Sequence, residues 1–318
     1  MNSEYNNNRA VELPDEFVER YGPLVDDPDA FFSCLKSPLP RAFRVNTLKS
    51  DRKEVLERFA SYGIRLQQPA WYQDAFISPD VDPGPTLEHF LGKIYLQELT
   101  SMLPPLAVRA EIEEAQSVLD ACAAPGSKAT QIAALMNNNG TLVANDKDYN
   151  RIRGLKHNLS KAGAQNIVIT NCDLGELPRE RLYDVVLLDA PCSSDGTIRK
   201  NPAQLKRWTP RKSARYSSQQ RFLIKVAHDL VKPGGVLLYS TCSFSPDENE
   251  LVVDHLLHNR PAELERIQLE NITLSPGIVV IDNQELSPEI SRTARVWGHH
   301  NDTGGFYLAR IRKPEESS

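Results

Sequence analysis

Two of the five cysteines in this 318-residue chain stand in polar loops that also carry carboxylates. Cys192 follows Asp189-Ala190-Pro191 and precedes Ser193-Ser194-Asp195-Gly196, and Cys242 lies in Ser240-Thr241-Cys242-Ser243. Behind Cys242, Ser245-Pro246-Asp247-Glu248 reads as a helix start, with Ser245 as cap, Pro246 in the first turn and Glu248 closing a capping box. A thiol just ahead of a helix N-terminus favours the nucleophilic thiolate. Competing readings are two cysteines packed as small apolar groups, a zinc site, or a redox pair. Packing suits Cys34 and Cys172 better than the two loop thiols. Zinc would need a C-x-x-C or a His at ligand spacing, and neither loop has one, so no metal is expected. His299-His300 stands too far along the chain to be assigned a role.

The elements that must position these thiols follow a strand, loop, helix rhythm from Ser117 onward. Unbroken apolar runs at 117–119, 141–144, 167–169, 185–188 and 236–239 read as strands buried on both faces of a parallel sheet. Helical stretches separate them, among them 129–137 and 217–231, the latter stopped by Lys232-Pro233-Gly234-Gly235. The fold class is α/β, a doubly wound, Rossmann-like sheet, with a late antiparallel strand over 305–310. The fourth and fifth strands should be neighbours, placing both thiols on one rim. Ahead lies a small α+β module with a helix over 13–34, strands over 43–48 and 71–78, and a helix ended by Gly63. The division expected is a flexible N-terminus over 1–12, the α+β module over 13–109, and the sheet domain over 110–318.

Ligands in such sheets bind beyond the carboxyl ends of the strands. Four segments fall there. Cys122, Ala123, Ala124, Pro125, Gly126, Ser127 and Lys128 join the first strand to its helix, where small residues admit a ligand and free N–H groups face it. The glycine spacing is wrong for a phosphate-binding P-loop and for a strict GxGxxG. Asp146 ends the second strand, placed for ribose hydroxyls, and Asp173 follows the third, placed for an exocyclic adenine amine. Asp189 ends the fourth. A nucleoside cofactor with no phosphate to grip fits this pattern, and S-adenosyl-L-methionine is such a ligand.

A methyl-transfer pocket gains from a thiol when the acceptor is a poor nucleophile. Carbon 5 of cytosine is one, and thiolate addition at carbon 6 makes it enamine-like. Asp189 could bond the base's polar edge, a second cysteine could assist release, and the base must leave its stack to enter.

Composition places the chain among globular proteins, with 40% hydrophobic and 25% charged residues. No apolar run approaches the length of a membrane span, Met1–Pro14 lacks an apolar leader, and the few cysteines suit a reducing cytosol. A cytoplasmic monomer is expected. The net charge of −5 gives no hint of nucleic acid, yet it is an average. Nine Lys or Arg and no acid lie between Gly196 and His228. There Arg199, Lys200, Lys206, Arg207 and Arg211 are candidates for phosphate contacts, and Trp208 for base stacking. A second basic face, Arg151, Arg153, Lys156 and Lys161, reads equally as solvated surface.

These residues fall within a wider likeness. From about residue 13 the chain resembles the Nol–Nop–Sun family of RNA cytosine-5 methyltransferases, through Arg44-Val45-Asn46-Thr47, Tyr95-Leu96-Gln97-Glu98, Ala123-Ala124-Pro125-Gly126, Asp189-Ala190-Pro191-Cys192-Ser193, Arg199-Lys200-Asn201-Pro202, Ser240-Thr241-Cys242-Ser243 and Gly305-Phe306. The resemblance implies a class I methyltransferase sheet behind an RNA-recognition-like N-terminal domain. It also implies Cys242 as nucleophile, Cys192 as the release residue, and Cys122 to Lys128, Asp146, Asp173 and Asp189 around the cofactor. DNA cytosine methyltransferases instead use the Pro-Cys cysteine as nucleophile, so carrying both thiols marks the RNA type. Ser194 stands where the family often has Gly, implying a stiffer loop, and Ser127 where many members have a second Gly. No C-terminal RNA-binding extension of the kind found in some relatives is expected, so the grip on substrate is expected from the N-terminal module and the catalytic face. The implied substrate is cytosine in structured RNA, transfer RNA ahead of ribosomal RNA. Rival readings are a non-catalytic RNA-binding or assembly factor and a methyltransferase for small molecules or proteins.

Overall fold

The computed structural model describes residues 12–315, so the expectation for the extreme N-terminus lies almost wholly outside the described residues. Helix α1 (Asp15–Tyr21) runs into a 3-10 turn at Gly22–Leu24, and α2 (Pro28–Lys36) starts from the Asp27 cap. The single helix expected over 13–34 is therefore broken. Pro23 and Pro28 each remove a backbone donor, and the Asp27 carboxylate caps the new start by accepting from the Ala30 N–H at 3.0 Å.

Next comes a small sheet. Its strands are β1 (Ala42–Val45), β2 (Ala75–Ile77) and β3 (Ile94–Leu96), with α3 (Arg52–Ser61) and α4 (Leu87–Phe90) between them and the order β2-β1-β3, all antiparallel. The strand expected over 71–78 shrinks to three residues, because 70–74 is spent on turns. Phe43, Val45, Val55, Phe59, Phe76 and Ile94 form this module's own core. Helices α1 and α2 are not part of it. Phe17, Tyr21, Phe31 and Leu35 pack instead on Ile198, Trp208, Phe244 and Trp297 of the large domain.

Helices α5 (Leu103–Ala107) and α6 (Arg109–Glu114) lead into the large sheet. It is built in chain order from β4 (Ser117–Asp120), α7 (Ser127–Leu135), β5 (Thr141–Asn145), α8 (Tyr149–Ala162), β6 (Ile167–Thr170), β7 (Tyr183–Asp189), α9 (Pro210–Asp229), β8 (Val231–Thr241) and α10 (Glu250–Leu257). The short strands β9 (Glu263–Glu265) and β10 (Ser275–Pro276) follow. Then come the hairpin β11 (Val280–Ile281) and β12 (Gln284–Glu285), β13 (Ala294–Val296), α11 (Gly298–Asn301) and β14 (Phe306–Arg312). The path through the sheet is β10-β13-β14-β8-β7-β4-β5-β6, with β9 on the far end of β14. Strands β4 to β8 are parallel, while β14 runs antiparallel against β8. This is the doubly wound arrangement expected from the sequence.

The unbroken apolar runs explain themselves here. In β7, Val185 and Leu187 enter one core while Val186 and Leu188 enter the other, so helices cover both faces. Helix α9 ends at Asp229, just ahead of Lys232-Pro233-Gly234-Gly235, and these turn residues themselves lie in the first part of β8. Gly234 takes a left-handed φ of +74°, and its N–H donates to the Lys313 carbonyl at 2.9 Å, so the turn residues become an irregular strand end beside β14.

Strand order reverses about β4, with β5 on one side and β7 on the other, which opens a crevice at the carboxyl ends. The register sets Asp189 opposite Ser240, so the chain leaves two neighbouring strands at one level, bearing Cys192 and Cys242.

Candidate active site

Leaving β4, the chain turns tightly over β5: the Ala123 N–H donates to the Asn145 carbonyl at 2.7 Å and the Ala124 N–H to the Asp146 carboxylate at 3.2 Å. The Ala124–Pro125 peptide is cis. Gly126 then caps α7 at φ +109°, where a side chain would strain the backbone and meet Leu155 at 3.2 Å. A cavity of about 190 Å³ opens in front of this turn. Cys122, Ala124, Asp146, Asp173 and Asp189 all line it, with Cys192 and Cys242 at one end. Asp146 is buried and paired to Arg151 at 3.2 Å, while Asp173 caps the 3-10 turn at Leu174–Glu176.

Lys128 does not face this cavity. Its side chain points into a second one of about 90 Å³, lined also by Asp189, Thr197, Lys200, Cys242 and Phe306. Lys128 Nζ donates to Asp189 Oδ2 at 2.7 Å, and the Ser240 hydroxyl donates to Asp189 Oδ1 at 2.8 Å. Burial works against the ammonium, but the charge and hydrogen bond of Asp189 outweigh it and hold its pKa above the usual value. Asp189 and Cys242 are common to both cavities. The two chambers meet at one carboxylate and one sulfur.

Cys192 Sγ lies 3.2 Å from Cys242 Sγ, and both are free thiols. The hydrogen bond to Cys242, then burial, pushes the Cys192 thiol well above its ordinary range, so Cys192 keeps its proton. The helix start expected behind Cys242 does not form. Residues 246–249 make turns, α10 begins at Glu250, and Glu248 points inward, so helix-end activation of Cys242 falls away. Other contacts fix the Cys242 loop. Gly196 N–H donates to the Cys242 carbonyl at 3.0 Å, Phe244 N–H to Asp195 at 2.7 Å, and Asn249 Nδ2 to the Ser243 carbonyl at 2.9 Å. A Cβ on Gly196 would sit 2.6 Å from the Gly305 carbonyl oxygen and 2.7 Å from that of Cys242, which explains glycine there.

Of the basic candidates, Lys200, Lys206, Arg207 and Arg211 are exposed, and Lys200 reaches the second cavity. Two expectations need correction. Arg199 is buried and spent on structure, donating to the carbonyls of Pro38 and Thr303 at 2.9 and 2.8 Å and pairing with Asp302 at 2.6 Å. Trp208 is buried against Phe17 and Tyr21, so its ring is a core residue and not a stacking platform.

Sequence reasoning gave Asp120, Ser240 and Glu248 no role of their own in the site. Asp120 ends β4, buried, with neither oxygen in a well-formed hydrogen bond. Burial raises its pKa to about 7, against the pull of Lys128. Its position at a strand end beside the loop was the available signal. His299 and His300 meet Asp26 through Nε2 at 3.0 and 2.9 Å. Both Nδ1 atoms are buried without partners, so metal ligation at Nε2 would strand a proton on each.

Comparison with known proteins agrees with this geometry. The family described as 16S rRNA methyltransferase RsmB/F matches residues 107–312, and the N-terminal domain of 16S rRNA methyltransferase RsmF matches residues 13–99. The chain is 41% identical over 303 residues to the tRNA (cytosine(49)-C(5))-methyltransferase of Pyrococcus abyssi, covering 94% of this chain and 96% of that protein. It is 38% identical over 314 residues to ribosomal RNA small subunit methyltransferase F of Vibrio atlanticus, covering 95% of this chain but only 64% of that longer protein. A methyltransferase homolog from Pyrococcus horikoshii superposes with a TM-score of 0.83 at 32% identity, covering 95% of this chain and 96% of the other. NSun6 from the same organism superposes at 0.81 with 22% identity over 95% and 99%, a likeness of fold. No helix among the described residues is long and apolar enough to cross a membrane. The chain belongs to the 16S rRNA methyltransferase RsmB/F family, the Nol–Nop–Sun group of RNA methyltransferases.

Proposed function

We propose that this chain transfers a methyl group from S-adenosyl-L-methionine to carbon 5 of a cytosine in structured RNA, through a covalent bond between Cys242 and carbon 6. One observation carries the reading: two cavities, one walled by carboxylates, meet at Cys242 and Asp189. Asp146, Asp173 and Asp189 line the larger cavity. Three carboxylates suit a cationic nucleoside, with Asp146 and Asp173 accepting from ribose and adenine. When bound, the cofactor supplies an electrophilic methyl. The smaller cavity holds the unstacked base.

The chain's own residues do the rest. The Cys242 thiolate adds to carbon 6, which makes carbon 5 nucleophilic. Asp189, held by Lys128 and Ser240, keeps lone pairs for the base's polar edge. Once carbon 5 carries the methyl, its proton passes to solvent, the electrons of that C–H bond form the carbon 5–carbon 6 double bond, and the Cys242–carbon 6 bond breaks, returning the thiolate. Cys192, the protonated member of the pair, assists this release. Exposed Lys200, Lys206, Arg207 and Arg211 meet RNA phosphates.

Transfer RNA is the favoured class, because the Pyrococcus abyssi relative matches over 96% of its own length. Ribosomal RNA is the second reading, favoured by the N-terminal match over residues 13–99. Bisulfite sequencing of total RNA with and without the gene tests both. A 5-methylcytosine lost from transfer RNA supports the first, one lost from ribosomal RNA the second, and no change in either contradicts the function.

A further inference from the structure

Glu248 touches neither sulfur, yet it holds the chain immediately after each. It is fully buried. Its Oε2 accepts from the Ser193 backbone N–H at 2.8 Å and from Gln220 Nε2 at 3.0 Å, and its Oε1 accepts the Ser243 hydroxyl at 2.8 Å. Ser193 follows Cys192 and Ser243 follows Cys242. The two serine hydroxyls meet at 3.1 Å. With the Ser243 proton directed at Glu248, Ser193 Oγ is the donor in that contact. Gln220 on α9 also donates to the Pro191 carbonyl at 2.9 Å, so the helix closes the same ring from behind. The Tyr239 hydroxyl donates to the Glu248 carbonyl at 2.6 Å and fixes its backbone. A buried carboxylate is costly without donors, and here every donor belongs to the thiol loops or to the helix supporting them.

We propose that Glu248 is a positioning residue for both thiols: its one carboxylate clamps the Cys192 loop to the Cys242 loop and so sets the sulfurs 3.2 Å apart. The proposal rests on the reading that Cys242 attacks the base and Cys192 assists release. Glu248 lines neither cavity and acts through the serines. Its charge also raises the Cys192 thiol, which helps to keep the proton there.

The test compares wild type, Glu248→Ala, Glu248→Gln and Ser243→Ala as full chains, with two readouts. Diamide takes two electrons and two protons from neighbouring thiols, giving a disulfide and a hydrazine, so the rate of Cys192–Cys242 bridging by peptide mass mapping reports sulfur placement without catalysis. Methyl transfer gives kcat, the KM for cofactor, and the pH profile. In Glu248→Ala, bridging slows by about tenfold and kcat falls by about 100-fold, while the cofactor KM stays within about twofold. Glu248→Gln keeps an acceptor for the Ser193 N–H and recovers kcat to within about tenfold of wild type. It also moves the alkaline limb of the pH profile down, because the negative charge beside Cys192 is gone. Ser243→Ala removes the donor to Oε1 together with the acceptor of Ser193 Oγ and of the Ser245 N–H, and loses about fivefold in both readouts, which carries the test if Glu248→Ala does not fold. Wild-type bridging and kcat in folded Glu248→Ala or Ser243→Ala, or Glu248→Gln as slow as Glu248→Ala, overturns the clamp. A wild-type chain that bridges readily but methylates no RNA contradicts the catalytic reading instead, and leaves the clamp standing.

Discussion

Cys192 and Cys242, 50 residues apart in the chain, come within 3.2 Å because they leave two adjacent parallel strands at the same level. Asp189 opposite Ser240 fixes that level, and the two loops beyond it carry one thiol each. The pair is unequal. The sulfur contact and then burial push the Cys192 thiol well above its ordinary range, while Cys242 faces both chambers.

Asp120 makes stability fall with rising pH. Its folded pKa of about 7 exceeds the unfolded carboxyl value, so the folded state binds more protons between the two. The contribution is complete below the unfolded value, shrinks as pH rises towards 7, and is constant above. Asp120→Asn removes this titration while keeping the shape. Urea unfolding should show the variant gaining on wild type by about 2–4 kcal/mol between about pH 5 and pH 8. A difference that does not change with pH contradicts the assignment.

Ser194 stands where glycine belongs. Its φ of +63° lies in the left-handed region, which costs a side-chain-bearing residue roughly 1–2 kcal/mol. The loop is therefore held in a glycine conformation by its neighbours. Ser194→Gly should stabilise the protein by up to about 1 kcal/mol after the extra chain entropy of glycine. Thermal melts with and without cofactor would check this, and a lower Tm in the variant contradicts it.

Trp208 and the exposed cations part company in their effects. Trp208→Ala empties a ring-sized space beside Phe17 and Tyr21 and should cost about 3–5 kcal/mol of stability. Replacing Lys206, Arg207 and Arg211 together by alanine should leave the melt unchanged and weaken RNA binding. Its salt dependence, log Kd against log salt, should flatten by about 2, close to one charge contact per residue. An unchanged slope would place the RNA elsewhere.

Much of this was legible from residue order, and the failures share one cause. Parallel strands buried on both faces announce themselves as unbroken apolar runs, so β4 to β7 and the thiol rim could be placed in advance. Asp146, Asp173 and Asp189 could be singled out because each lies at or just beyond a strand end. Side-chain direction was not. Trp208 and Arg199 sit in the same basic stretch as Lys206 and Arg207, yet the first two turn inward, because α1 and α2 fold back over this segment from residues some 170 positions earlier. Glu248 was misread for the same reason. A Ser-Pro-Asp-Glu string has the local form of a helix cap, and only the Cys192 loop, brought alongside by the sheet, supplies the donors that draw its carboxylate inward.

The central claim is that Cys242 bonds to the base and Cys192 assists its release. Its most direct measurement is the covalent RNA–protein species on a denaturing gel, formed with RNA substrate and S-adenosylmethionine by wild type, Cys192→Ala, Cys242→Ala and the double variant. Cys192→Ala should accumulate a slower-migrating adduct, while Cys242→Ala and the double variant form none and transfer no methyl, yet still bind the cofactor. An adduct that persists in the double variant, or full methylation by Cys242→Ala, would contradict the account.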